Sequence, residues 1–253
     1  MIEWTAPAVI LDARMHGETD ALISIMTEEH GAHRGLARGG GGRRQAALWQ
    51  QGNLVQARWT ARLPDQLGTL TAEPVRAGAA AVMDDALRLQ VLAAACAVAD
   101  GSLPEREPHP IVFGGLVGLI DHLPDDPAPI ETLVRWEAAL LAELGYGLDL
   151  TTCAVTGGTA ALHHVSPRTG RAVSDAAVGE WAARLLPLPA FLNGQAQGGP
   201  ADWRDGLRLT GHFLERDAFG HQHRPLPSAR TMLYDRAAAL AASVAITSLA
   251  EST

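Results

Sequence analysis

Hydrophobic and polar residues alternate within the first 78 residues in a pattern typical of short β-strands. The clearest alternation is in residues 53–62, where Ala57 and Trp59 alternate with Gln56 and Arg58. Glycine or proline residues separate one such run from the next. The predicted strands are residues 8–14, 21–26, 34–37, 53–62 and 67–75. Five short strands separated by glycine or proline residues predict a small closed barrel.

After residue 75 the hydrophobic positions recur with the spacing of helices. Gly101 and Pro104 end the first helix, and Pro129 begins the third. The predicted helices are residues 77–100, 109–123, 129–144, 176–186, 203–213 and 229–249, with an irregular, turn-rich insert at 151–174. The predicted fold class is therefore α+β, with a barrel domain over residues 1–78 and a mainly α-helical domain over residues 79–253.

Charge is distributed very unevenly along the chain. The net charge is −8, which by itself argues against nucleic acid as a partner, and all 20 basic residues are arginine. No carboxylate lies between Glu29 and Asp65, so this window carries about +6 and leaves about −14 for the remainder. A partner with dense negative charge is expected to bind only this part of the molecule. A solvated polar face in an arginine-biased composition is the alternative interpretation.

The arginine window also contains two tryptophans, Trp49 and Trp59. Proteins that bind single-stranded nucleic acid combine a cationic groove with aromatic faces, and each stacked base contributes about 1–3 kcal/mol. Because Trp59 lies in an alternating strand, a place in the barrel core is the alternative for this side chain. The candidate DNA-binding residues are Arg34, Arg38, Arg43, Arg44, Arg58, Arg62 and Trp59.

Residue patterns for catalysis are scarce in this sequence. The glycines at 39–42 lack the lysine of a phosphate-binding loop, and the absence of lysine also excludes Schiff-base and lysyl-adenylate chemistry. The serine-nucleophile and zinc-protease motifs are missing. Two acidic pairs could be metal ligands, but helix-capping and loop roles explain them more simply. These pairs are Asp84 with Asp85, and Asp125 with Asp126. We expect no enzymatic activity and no cofactor.

The cysteine content and the N-terminus predict a cytoplasmic protein. Cys96 and Cys153 lie far apart and do not form a disulfide framework, which favours a reducing compartment. Residues 1–4 lack the basic start and apolar run of a signal peptide. The longest apolar stretch is too short to span a bilayer, so no membrane contact is expected.

A series of short motifs runs along most of the chain. In the first domain these are residues 16–18, 36–44, 52–54, 62–63, 67–68 and 73–74. Further on they are residues 103–109, 135–137, 144–150, 153–157, 165–170 and 226–230. In this order the motifs resemble those of the RecO family of bacterial recombination mediators. The similarity is strongest in residues 135–150.

The resemblance implies an OB-fold barrel followed by a mainly helical domain. It also implies binding to single- and double-stranded DNA, annealing of complementary strands, and recombinase loading on SSB-coated DNA in the RecF pathway. The implied partners are RecR and the acidic, hydrophobic C-terminal tail of the single-strand-binding protein SSB. It further implies a non-catalytic protein of the cytoplasm that is associated with the nucleoid during repair.

The resemblance assigns the basic barrel surface to Arg34, Arg38, Arg43 and Arg44. Arg58 and Arg62 are weaker candidates, because strand alternation can place them on different faces. The SSB tail is expected in an apolar groove of the helical domain with an arginine nearby, and Arg135 is the candidate for that arginine.

The resemblance also raises the question of a metal site. Some family members hold zinc through four cysteines after the third helix. Here Cys153 matches the first of these cysteines, but Thr156 stands at the second position and the later pair is missing, so no metal is expected. Two alternatives remain open: a protein-interaction adaptor without direct DNA binding, and a metal-dependent nuclease or hydrolase built on the aspartate pairs and the histidines.

Overall fold

The computed structural model describes residues 1–63, 65–194 and 197–251, and for Arg44 and residues 248–251 it describes the backbone only. The chain divides into two compact units, Met1–Asp126 and Pro127–Thr253. The first unit contains a β-barrel with helices behind it, and the second unit is mainly helical.

Five strands form the barrel of the first unit. They are β1 (Ile2–His16), β2 (Asp20–Thr27), β3 (Gly31–Ala37), β4 (Leu54–Ala61) and β5 (Thr69–Arg76), with a short helix α1 (Arg43–Ala46) between β3 and β4. Neighbouring strands pair antiparallel except β3 and β5, which run parallel where Leu36 meets Thr69. The order around the closed barrel is β1-β2-β3-β5-β4. This is the topology of the OB fold, and it confirms the five-stranded barrel expected from the sequence.

The alternation along the strands places the hydrophobic side chains inside the barrel. On β4, Val55, Ala57 and Trp59 are buried, whereas Arg58 is exposed. Strand β1 is longer than its predicted span of residues 8–14, because its first half pairs with β4 and its second half pairs with β2. One continuous strand therefore closes the barrel from both sides.

Three helices follow the barrel within the first unit: α2 (Gly78–Ala81), α3 (Ala86–Ser102) and α4 (Pro110–His122). The prediction of one helix over residues 77–100 is wrong, because a new helix, α3, begins after Asp85. The Asp85 side chain caps α3 by accepting hydrogen bonds from the amides of Leu87 and Arg88, at 2.9 and 3.0 Å. The buried face of α3 packs against β1. Burial there raises the pKa of the Cys96 thiol to about 12.

The second unit combines helices with a small sheet. Its elements are α5 (Pro129–Glu143), β6 (Leu162–Val165), β7 (Ala172–Ser174), α6 (Asp175–Val178), β8 (Leu186–Pro187), α7 (Pro200–Phe213) and α8 (Ser228–Glu251). The helix predicted for residues 176–186 is wrong. Helix α6 ends at Val178, because Gly179 adopts a positive φ of 48° and a 3-10 helix continues from Gly179 to Arg184. Among the described residues, none of the helices has the length and hydrophobicity to cross a membrane.

Candidate nucleic-acid interface

Two exposed arginines flank the glycine loop, residues 39–42, at one end of the barrel. Arg38 directly follows β3, and Arg43 is the first residue of α1. Within the described part of the chain, neither guanidinium forms an ion pair. The side chain of Arg44, the third candidate in this loop, lies outside the described residues. The loop therefore presents at least two cations to solvent that no described carboxylate neutralises.

The amides of the glycine loop are already used within the barrel. They donate from Gly39 to Asp20 Oδ1 (2.8 Å), from Gly40 to the Ala37 carbonyl (3.1 Å), from Gly41 to the Thr19 carbonyl (2.9 Å) and from Gly42 to the Gly39 carbonyl (3.1 Å). A backbone anion site needs free amides that point toward the anion. This loop lacks them, so its arginine side chains are the groups that can bind a phosphate.

Arg34 differs from these arginines because carboxylates neutralise it. Its Nη1 lies 2.8 Å from Glu105 Oε1, and its Nη2 lies 3.8 Å from Asp100 Oδ1. Asp100 belongs to α3, and the segment containing Glu105 pairs with β3 at Ala32. Arg34 is therefore not a free cation, because two carboxylates far along the sequence from the arginine window pair with it. Its contact with DNA stays a prediction.

Arg58 and Arg62 complete the set of predicted cations. Arg58 lies on the outer face of β4, and its guanidinium contacts the Glu3 carboxylate of β1 at 2.7 Å. Both side chains of this pair are largely in solvent, where an ion pair contributes only about 0–1 kcal/mol and exchanges readily. Arg62 is exposed just after β4, and it forms no ion pair with any described residue.

Trp59 lies in the barrel core and not on its surface. It is 2 % exposed, and its Nε1 donates hydrogen bonds to the carbonyls of Arg34 (3.1 Å) and Leu67 (3.0 Å). Trp49 is similarly buried, at 4 % exposure. The predicted stacking of Trp59 on DNA bases is therefore wrong, and the alternative of barrel core is confirmed.

A cluster of aromatic rings extends from Trp59 and was not predicted from the sequence. Trp4 stacks between His30 and Trp59, with ring centroids 4.3 and 5.8 Å apart. His33 meets Trp4 edge-on at 5.1 Å, and its Nδ1 is buried without a hydrogen-bond partner in the described structure. Burial lowers the pKa of His33 to about 4, so this side chain is neutral at physiological pH.

Arg135 belongs to the second unit and is partly held there. Its Nη2 donates to the Phe191 carbonyl (3.2 Å) and lies 3.4 Å from Glu131 Oε2, and its guanidinium lies over the Phe191 ring at 5.2 Å. Glu131 is itself buried and accepts a hydrogen bond from Trp203 Nε1 at 3.1 Å. This network fixes the local packing around α5 and leaves about half of the Arg135 side chain exposed.

The insert after α5 does not provide ligands for zinc. Cys153 Sγ accepts hydrogen bonds from the Thr156 amide (3.5 Å) and from the amide and hydroxyl of Ser174 (both 3.3 Å). These bonds lower the pKa of the Cys153 thiol to about 6, against the opposing effect of burial. One thiol with two hydroxyl-bearing neighbours does not fit a structural zinc site. No cluster of three metal-binding side chains occurs in the described chain.

The second unit also has an apolar groove with a cavity volume of about 400 Å³. Val155 and Trp181 line it, and both are exposed large hydrophobic residues. Arg168 and Arg184 lie at the same groove, and the Arg184 guanidinium stacks on the Trp181 ring at 5.3 Å. An exposed apolar groove with cationic groups has the chemistry to bind a segment that is both hydrophobic and acidic.

The barrel topology, with exposed arginines beside the glycine loop, defines the class of OB-fold proteins with a cationic outer surface. Comparison with family models gives a match to "Recombination protein O N terminal" over residues 1–77 and to "Recombination protein O C terminal" over residues 83–226. The chain belongs to the RecO family.

Similar proteins over nearly the full length carry the name "DNA repair protein RecO". The one from Granulibacter bethesdensis is 58% identical over 242 residues, which cover 94% of this chain and 97% of that protein. The one from Gluconacetobacter diazotrophicus is 57% identical over 245 residues, covering 94% and 96%. The one from Acidiphilium cryptum is 54% identical over 239 residues, covering 93% and 95%.

Proposed function

We propose that this chain is a non-catalytic mediator of DNA repair and recombination. It binds single- and double-stranded DNA through the barrel, anneals complementary single strands, and helps load the recombinase on SSB-coated DNA in the RecF pathway. The similar proteins named "DNA repair protein RecO" align with almost the whole chain.

The observation that carries this proposal is the presence of two exposed cations, Arg38 and Arg43, neither of which pairs with a carboxylate of the described residues. They are in an OB-fold protein whose net charge is −8, so a polyanion is attracted to this end of the barrel and repelled elsewhere. Arg44 and Arg62 extend the proposed surface along the same carboxylate-free window. Arg58 becomes part of this surface when a phosphate replaces Glu3 as its ion-pair partner. Arg34 contributes little as long as it is paired with Glu105.

The proposed protein partners are RecR and the C-terminal tail of SSB. For the tail, the groove beside Trp181 offers the apolar wall and the two arginines that a hydrophobic, acidic peptide requires. Arg135 remains the second candidate for the tail carboxylates, because half of its side chain is in solvent. Titration of an SSB-tail peptide into Trp181→Ala and Arg135→Ala separates the two positions, since only the variant at the true site should lose affinity.

The exposed groove also supports the alternative of an adaptor that binds proteins without contacting DNA directly. The two functions predict different results when complementary oligonucleotides coated with SSB are annealed over a series of salt concentrations. A DNA-binding mediator accelerates annealing, and the acceleration decreases as salt rises because phosphate contacts are screened. An adaptor binds the tail peptide but shows no affinity for DNA at moderate salt.

The annealing test compares wild-type protein with a double variant and with a control variant. Replacing both Arg38 and Arg43 by alanine should remove most of the acceleration. Arg208→Ala, which removes an exposed arginine from α7 in the second unit, should leave the acceleration unchanged. Equal annealing by all three proteins would contradict the proposed DNA-binding surface.

A further inference from the structure

A second groove lies in the first unit, directly beside the glycine loop. It has a cavity volume of about 410 Å³, near the lower end of the range for small-molecule sites. The β1–β2 hairpin forms one wall through Arg14 and Met15, the loop contributes Gly40 and Gly41, and α1 contributes Ala46. Gln50 lies on the remaining side, just before β4.

The walls of this groove are suited to a flat, partly apolar ligand. Met15 is 61% exposed, although most methionines of folded proteins are buried. Ala46 is also exposed, and the buried Trp49 contributes to the lining. Because Gly41 has no side chain, Met15 lies against the loop backbone, which keeps the wall apolar. A nucleobase has the flat, polarizable face that such a wall can contact.

The polar groups around the groove are suited to the rest of a nucleotide. The Gln50 side chain is exposed and forms no hydrogen bond to any described residue, whereas neighbouring Gln51 donates to the Leu11 carbonyl at 2.9 Å. A free carboxamide can both donate to and accept from a base edge. Arg14 is 71% exposed and lies 2.5 Å from Asp12, the carboxylate that lines the groove, so Asp12 carries no uncompensated charge there.

The two arginines of the proposed DNA-binding surface lie on either side of the same loop. Arg38 and Arg43 immediately precede and follow residues 39–42, and Gly40 and Gly41 of this loop line the groove. A strand whose phosphates contact these arginines would place its bases within reach of the groove. Paired bases in a duplex are stacked and cannot enter, so only an unpaired base has access.

We propose that this groove is a subsite for one unstacked base of single-stranded DNA. The inference rests on the proposed function, because it requires that a strand binds at Arg38 and Arg43. The groove supplies base contact that is independent of phosphate contact. It gives the barrel a preference for single strands, a role that the sequence suggested for Trp59 and that this buried side chain does not supply.

The test uses full-length protein and two oligonucleotides of equal length and charge: an oligothymidylate, and its counterpart in which abasic residues replace the bases. Wild-type protein should bind the base-bearing strand about tenfold more tightly, which corresponds to about 1.4 kcal/mol. Ala46→Leu fills the groove without changing charge, so it should abolish this preference and leave affinity for the abasic strand unchanged. Ala47→Leu, the same change at an exposed neighbour that does not line the groove, should behave as wild type.

Gln50→Ala gives a second variant that removes only an exposed amide. It should weaken binding of the base-bearing strand about threefold and leave the abasic strand unaffected. If Ala46→Leu and Gln50→Ala both keep the wild-type preference, the subsite is refuted while DNA binding stands. If wild-type protein binds neither strand, the proposed function itself fails, and the subsite fails with it.

Discussion

Arg230 forms a buried bidentate ion pair with Glu137 in the interior of the second unit. Its Nε lies 2.5 Å from Oε1 and its Nη2 lies 3.0 Å from Oε2, and both side chains are at most 2% exposed. Nη2 also donates to the Leu207 carbonyl at 2.8 Å, and the Thr210 hydroxyl donates to Glu137 at 2.5 Å. The pair therefore joins α5, α7 and α8 through a buried hydrogen-bond network.

Breaking this pair from one side should destabilise the protein strongly. Arg230→Met leaves Glu137 as an uncompensated buried charge, and such changes cost about 3–5 kcal/mol. The free energy of unfolding, measured in denaturant, should fall by this amount. Arg208→Ala removes an exposed arginine from α7 and should change it by less than about 0.5 kcal/mol.

The double variant Glu137→Met with Arg230→Met tests the origin of that loss. Because no buried charge remains, it should be more stable than Arg230→Met alone. A double variant that is less stable than either single variant would show that packing, and not charge, dominates at this position.

Releasing Arg34 should strengthen DNA binding. Glu105→Gln removes the carboxylate 2.8 Å from the Arg34 guanidinium, so only the weaker contact with Asp100 at 3.8 Å competes with phosphate for this cation. Affinity for single-stranded DNA should rise a few-fold, and the salt dependence should steepen by up to about 0.7, the value for one added phosphate contact. Glu107→Gln changes net charge equally at an exposed residue without an ion pair to Arg34, and it serves as the control. Equal effects of both variants would mean that only net charge matters.

Trp59→Phe should affect stability and not DNA affinity. The change removes the hydrogen bonds that the indole donates to the carbonyls of Arg34 and Leu67, and each such bond contributes about 0.5–1.5 kcal/mol. The free energy of unfolding should therefore decrease by about 1–3 kcal/mol. Binding of single-stranded DNA, measured where the variant is fully folded, should stay within about twofold of wild type. A much larger loss of binding would indicate that Trp59 contacts the DNA.

The buried His33 should make stability depend on pH in a defined window. Its pKa is about 4 in the folded protein and 6.5 in the unfolded chain, so only the unfolded chain gains a proton between these values. The contribution of His33 is complete above pH 6.5 and is lost as pH falls toward 4, by up to about 1.4 kcal/mol per pH unit. His33→Phe should reduce the loss of unfolding free energy between pH 7 and pH 4, whereas His16→Phe at an exposed position should not. Parallel pH profiles for both variants would argue against the shifted pKa.

The barrel could be predicted because its signal is local. Alternation on β4 specifies which side chains face inward, and glycine or proline residues mark the turns between strands. Helix boundaries were harder, since the cap at Asp85 and the positive φ of Gly179 interrupt sequences that read as continuous helices. In both cases a single residue interrupts the predicted helix although the hydrophobic residues around it keep a helical spacing.

The candidate interface was predicted less completely, because ion pairs depend on residues that are distant in sequence. Arg34 reads as a free cation until α3 brings Asp100 and the following segment brings Glu105 to it. The stack of Trp4 on His30 likewise joins the beginning of β1 to the β2–β3 turn. Arg14 lies outside the carboxylate-free window, so its place at the groove could not be read from charge distribution along the chain. Only the fold shows which charges meet.

The salt dependence of single-stranded DNA binding tests the central claim, that free guanidinium groups at the glycine loop bind phosphate. Replacing Arg38 and Arg43 together by alanine removes two phosphate contacts, so the slope of log affinity against log salt should become shallower by about 1.4. Arg34→Ala, at a cation already paired with Glu105, should change the slope much less. A slope that is unchanged in the Arg38 and Arg43 double variant, with wild-type affinity, would contradict the account.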